Sequence, residues 1–143
     1  MNTSQTPFTP SNDRIRCLLG MLGTDVHNKG IRTLAQLLRD EGIEVIYIGE
    51  HNTCPGMVQA LIAEDADIIG LSYCSSNYLD YTQQLIEEMH KQGVRDVPIM
   101  LGGLIHQEDH QALKDMGVNG IFGPGSKTDS IIEFLQQVTG KSL

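Results

Sequence analysis

From Asp13 to the C-terminus, five short apolar runs alternate with five longer amphipathic segments, and that alternation leaves few folds open. Runs that are almost wholly apolar suit strands buried on both faces, whereas apolar residues recurring at three- and four-residue steps suit helices that cover a sheet with one face. The pattern predicts strands at Ile15 to Met21, Val45 to Ile48, Ile68 to Leu71, Pro98 to Leu101 and Gly120 to Phe122. It predicts helices at Lys29 to Asp40, Pro55 to Glu64, Leu79 to Lys91, Gln107 to Met116 and Asp129 to Val138. Ile31, Leu34, Ala35 and Leu38 form one such helical stripe, and Gly42, Gly93, Gly117 and Gly140 supply helix stops. Parallel crossovers are right-handed, so five units in this order imply an α/β fold: a doubly wound, five-stranded parallel sheet of flavodoxin-like, Rossmann-like topology. In that architecture ligands settle beyond the carboxyl ends of the strands, where the strand order reverses.

With 143 residues, 40% of them hydrophobic and 20% charged, the chain can bury a core of its own. We expect one folded domain over residues 13–143, preceded by a flexible polar arm, residues 1–12, that carries Pro7 and Pro10. Eighteen acidic against ten basic side chains give a net charge of −8, so the field of the protein repels phosphate backbones and anionic membranes. Nucleic acid and membranes are therefore not expected as partners. The start of the chain has no signal-peptide pattern and no apolar run reaches membrane-spanning length, which together imply a cytoplasmic protein. Cys17, Cys54 and Cys74 have neither an even count nor a zinc-type spacing, so neither a disulfide framework nor a structural zinc site is expected.

Candidate chemistry gathers in the loops at the carboxyl edge. After the first strand, Thr24, Asp25, Val26, His27 and Asn28 set a carboxylate and an imidazole two residues apart, and Gly30 follows at the helix start. A metal-ligating histidine commonly donates its other ring N–H to a carboxylate, which fixes the tautomer and aims the ring. The same residue types also serve as turn and capping residues, and the residues alone leave both readings open. After the third strand, Ser72 to Tyr78 bunches small polar side chains, including Cys74, that could bond a ligand or cap the next helix. Gly102, Gly103 and Leu104 follow the fourth strand, and Gly123-Pro124-Gly125-Ser126 follows the fifth, so two further loops admit a ligand close to the backbone. A phosphate-containing ligand would suit those glycines equally well. His51, His90 and His110 read as surface residues, and His106 lies close to the glycine pair.

Taken together, these residues resemble the cobalamin-binding domain shared by adenosylcobalamin-dependent carbon-skeleton mutases and corrinoid methyl-transfer proteins. The resemblance runs from Arg14 to Val138 and rests on Asp-x-His-x-x-Gly at Asp25, His27 and Gly30, then Ser72, then Gly102-Gly103. The chain departs from the family at Cys74, where the pattern Ser-x-Leu has leucine. The resemblance implies that His27 is the lower axial ligand of cobalt in a base-off cofactor, with Asp25 as its hydrogen-bond partner. It also implies that Ser72 bonds the displaced benzimidazole, that Gly30 permits close approach, and that Gly102-Gly103 borders a nucleotide tail lying between the first helix and the sheet. The segment Ile121 to Gly125 is similar to the ending of the acyl-CoA mutase branch, of the methylmalonyl-CoA mutase type.

The function this resemblance implies is that of the cobalamin-binding small subunit of a two-component acyl-CoA mutase, an isomerase. Its large subunit would hold the acyl-CoA in a barrel, which 143 residues are too few to contain. On that reading the chain carries no catalytic residue, binds adenosylcobalamin (methylcobalamin being the alternative) and is inactive without its partner. A corrinoid carrier of a methyltransferase system and a glutamate-mutase-type small subunit share the Asp-x-His-x-x-Gly motif and are the alternatives. A carrier would be expected to have a helical cap ahead of the fold, where this sequence has a short polar arm.

Overall fold

Residues 14–23 and 27–143, which the computed structural model describes, alternate strand and helix in the expected order. They form β1 (Arg16–Gly20), α1 (Lys29–Asp40), β2 (Glu44–Tyr47), α2 (Cys54–Ala63), β3 (Ile68–Tyr73) and α3 (Tyr78–Lys91). These are followed by β4 (Ile99–Gly103), α4 (His110–Met116), β5 (Gly120–Phe122) and α5 (Thr128–Thr139). The strands make one parallel sheet in the order β2-β1-β3-β4-β5, so the order reverses between β1 and β3, as flavodoxin-like topology requires. The expected arm, residues 1–12, lies outside the described residues.

Side chains alternate across a strand, so the sheet supports two apolar layers. Leu18, Ile69, Leu71, Ile99 and Leu101 pack with Met57, Leu61, Leu85 and Leu113 beneath α2, α3 and α4. On the other face Cys17, Leu19, Ile68 and Met100 pack with Ile31, Ala35 and Leu38 of α1 and with Ile131 and Leu135 of α5. Cys17 has no solvent exposure, and burial, reinforced by the charge of Asp67, pushes its thiol up to about 12.

Helix ends follow local chemistry. Thr53 caps α2 by accepting a hydrogen bond from the Gly56 N–H at 3.1 Å, and Pro55 sits in the first turn, where its missing N–H costs nothing. Two expectations need correction. The helix expected at Gln107 to Met116 begins as a single 3-10 turn at Gln107–Asp109 before α4 proper. β3 and β4 also run two residues further than expected, so Ser72, Tyr73, Gly102 and Gly103 belong to strands, paired Ser72 with Gly102 and Tyr73 with Gly103. The glycine pair reads locally as a turn; instead the ladder continues because Gly103, at φ +98°, lets the two backbones close together. A Cβ there would lie 2.1 Å from the Tyr73 carbonyl oxygen.

Candidate cofactor cleft

The face beneath α1 and α5 runs out of bulk at its carboxyl end. Gly70, Ser72 and Gly102 share that face of β3 and β4, and none carries a side chain large enough to meet the helices. Leu19 and Met100 lean over Gly70, where a Cβ would come within 2.6 Å and 3.0 Å of them. Above this shallow stretch α1 and α5 stand off the sheet, leaving a cleft of about 640 Å³. Leu34 and Leu37 of α1, Ile131 of α5 and Phe122 of β5 give it apolar walls. Leu37 and Leu104, which also line the cleft, are 41% and 60% exposed.

The residues singled out in the sequence converge on this cleft. His27, Gly30, Ser72, Cys74, Gly102, Gly103, Leu104, Gly123 and Gly125 all line it, although they come from four separate loops and strand ends. Gly30 sits in the first turn of α1, and a Cβ built on it meets nothing within 4 Å, so its missing side chain leaves the cleft open there. Thr24, Asp25 and Val26 lie outside the described residues. Asn28 behaves differently from its neighbours. It occupies the N-cap of α1 without a side-chain capping bond, and its amide donates instead to the Glu50 carboxylate, 2.9 Å away, in the loop after β2. Asn77, a capping candidate for α3, likewise makes no side-chain capping bond.

The His27 loop is tied to both neighbouring loops. At its start, the Met21 N–H donates to the Gly49 carbonyl at 2.9 Å and the Gly23 N–H to the Asn52 carbonyl at 3.1 Å. The Asn52 amide donates to the carbonyls of Met21 and Gly49, at 3.0 Å and 2.8 Å. The Cys74 thiol donates to the His27 carbonyl at 3.5 Å, joining the loop after β3 to the loop after β1. His27 is exposed at the mouth of the cleft. Beyond the cleft, Tyr78 is buried, donates to the Asp109 carboxylate and accepts from the His106 N–H at 3.1 Å, so it holds the loop after β4 in place.

Sequence reasoning missed Gly70, Leu34, Leu37 and Glu50. Gly70 had a readable signal, since a glycine inside an otherwise apolar strand marks close approach of another group. Leu34 and Leu37 had none, because an apolar helical stripe looks the same whether it meets a core or a cleft.

The cleft is apolar along its walls, lined by glycine at several points and bordered by an imidazole, so it offers room and apolar surface for part of a large ligand. An imidazole is a common cobalt-compatible nitrogen donor. Among the described residues no cluster of three or more histidine, cysteine or acidic side chains could hold a bare metal ion, and no helix is long and apolar enough to cross a membrane.

Comparison with known proteins gives consistent results. Residues 15–133 match the family described as the B12 binding domain. The pivalyl-CoA mutase small subunit of Xanthobacter autotrophicus is 34% identical over 90% of this chain and 86% of its own length. The 2-hydroxyisobutanoyl-CoA mutase small subunit of Aquincola tertiaricarbonis is 32% identical over 87% of this chain and 91% of its own. Among solved structures, a cobalamin-binding protein from Desulfitobacterium hafniense superposes with a TM-score of 0.75 at 18% identity. That superposition covers 87% of this chain and 59% of the other, and at such identity it bears on the fold alone.

Proposed function

This chain belongs to the B12 binding domain family, and from that membership we propose that it is the cobalamin-binding small subunit of a two-component acyl-CoA mutase. The observation that carries the proposal is the match to two mutase small subunits along nearly the whole length of both partners in each comparison. A large subunit holding the acyl-CoA substrate is the partner this reading requires, and residues 13–143 are the cofactor-binding domain. A cytoplasmic location belongs to the same proposal.

His27 would supply the lower axial nitrogen to cobalt, and Asp25, two residues before it, would accept the ring's other N–H and fix its tautomer. The cleft beside His27 would take the detached nucleotide tail. There the Ser72 hydroxyl is available to hydrogen-bond the benzimidazole, while Gly30, Gly102 and Gly103 admit the tail close to the backbone. Leu104, Gly123 and Gly125 border the mouth, and the leucine walls exclude water from the tail. When bound, adenosylcobalamin supplies a weak cobalt–carbon bond whose homolysis is the source of radical chemistry for rearranging a carbon skeleton. The chain itself contributes binding and orientation, with no acid or base acting on substrate.

Titration of the full chain with adenosylcobalamin, followed by absorption, tests the proposal. The expected result is a base-off, histidine-on spectrum that His27→Ala abolishes and Asp25→Asn weakens more mildly. Retention of the same spectrum and affinity in His27→Ala would rule out the assignment.

A further inference from the structure

We propose that Glu50 is a positioning residue for His27, acting through Asn28; the inference rests on the reading of His27 as a cobalt ligand. An axial ligand delivered from a loop is only as well aimed as the loop is fixed, because lost orientation is lost affinity. The start of this loop is fixed by main-chain bonds from Met21 and Gly23 to the loop after β2. Its end is fixed by a side chain, the Asn28 amide donating 2.9 Å to the Glu50 carboxylate. His27 immediately precedes that second anchor.

Three observations separate this pair from an ordinary surface hydrogen bond. Asn28 holds the N-cap of α1, where an asparagine side chain would normally cap the helix, yet it makes no capping bond and reaches across to Glu50 instead. Both side chains are half-buried, and a bond to a carboxylate is stronger than one between neutral groups. The Glu50 side of the pair is itself held: the Asn52 amide binds the Gly49 carbonyl at 2.8 Å and the Met21 carbonyl at 3.0 Å, so Glu50 projects from a braced turn. The Cys74 thiol on the His27 carbonyl adds a contact from the opposite side, leaving the histidine backbone held between the loops after β2 and β3.

The test uses the full chain, with adenosylcobalamin as probe and two readouts besides activity. These are the absorption spectrum of the bound cofactor and, after anaerobic photolysis has cleaved the cobalt–carbon bond and released the adenosyl group to leave cob(II)alamin, the nitrogen splitting in its electron paramagnetic resonance spectrum. Glu50→Ala and Asn28→Ala should each lower affinity by about 10- to 100-fold, the usual effect of losing an outer-shell partner. Both should reduce the histidine-on fraction, and the double variant should be no worse than either single one, since both remove the same bond. Glu50→Gln keeps an acceptor oxygen and should recover most of the signal, while the melting temperature of the cofactor-free protein should stay within a few degrees of wild type. Wild-type affinity and nitrogen splitting in Glu50→Ala would overturn the proposal, as would additive losses in the double variant. If the wild type shows no histidine-dependent signal, or if His27→Ala leaves it unchanged, the underlying reading of His27 fails instead, and the proposal with it.

Discussion

Gly30 offers a perturbation whose two effects have opposite signs. It lies in the first turn of α1, its φ is not in the left-handed region, and a Cβ there meets nothing within 4 Å. Gly30→Ala therefore adds no clash to the cofactor-free protein and removes backbone freedom from the unfolded chain, a stabilisation of about 0.5–1 kcal/mol. For a domain of this size that is a rise in melting temperature of about 1–4 °C. Gly30 also lines the cleft, however, and a side chain added there takes up open space beside it, so on the proposed function cobalamin affinity should fall from glycine to alanine to leucine. A tenfold loss in the leucine variant corresponds to about 1.4 kcal/mol of binding free energy. Differential scanning calorimetry of the cofactor-free protein, paired with absorption titration of the same preparations, reads both quantities. A leucine variant that binds cobalamin as the wild type does would refute the placement of the cofactor against α1. An alanine variant that melts lower would refute the claim that this glycine is kept for ligand access and not for backbone conformation.

Two further outcomes are expected. Gly103→Ala should cost roughly 2–5 kcal/mol, combining left-handed strain with a Cβ pressed against the Tyr73 carbonyl, and urea unfolding of the cofactor-free protein measures it. The native Cys17 thiol, held protonated up to about 12 chiefly by burial, stays neutral at pH values where the unfolded chain's thiol, near 9.0, already ionises. Its contribution is complete below pH 9 and is lost as pH rises towards 12, by at most about 1.4 kcal/mol per pH unit. Urea midpoints between pH 8 and 11 should thus fall less steeply in Cys17→Ala than in wild type.

The elements were legible wherever one physical signal governed them. The stripe Ile31, Leu34, Ala35, Leu38 delimits α1 at Lys29–Asp40, as expected, because periodicity and the flanking glycine agree. The ends of β3 and β4 were not legible, since whether Gly102-Gly103 turns or continues depends on a register partner, Tyr73, some thirty residues away in sequence. The site was partly legible for the same reason. His27, Ser72 and the glycines stand out as residue types in loops, whereas Leu37 joins the cleft only because α1 stands off the sheet. Glu50 carries no local mark, and its part emerges only from the fold that brings it to Asn28.

The poverty of side chains at Gly70, Ser72 and Gly102 also bears on the life of the protein in the cell. Those positions leave a gap in one of the two apolar layers, so the cofactor-free chain keeps solvated leucine surface that a bound tail would cover. On the proposed placement of the tail the ligand would act as a missing part of the core, and occupancy at a hundred times the dissociation constant would add about 2.7 kcal/mol of stability. Proteases that act on the opened state would remove the empty form first. The abundance of the protein would follow the vitamin supply without any transcriptional control.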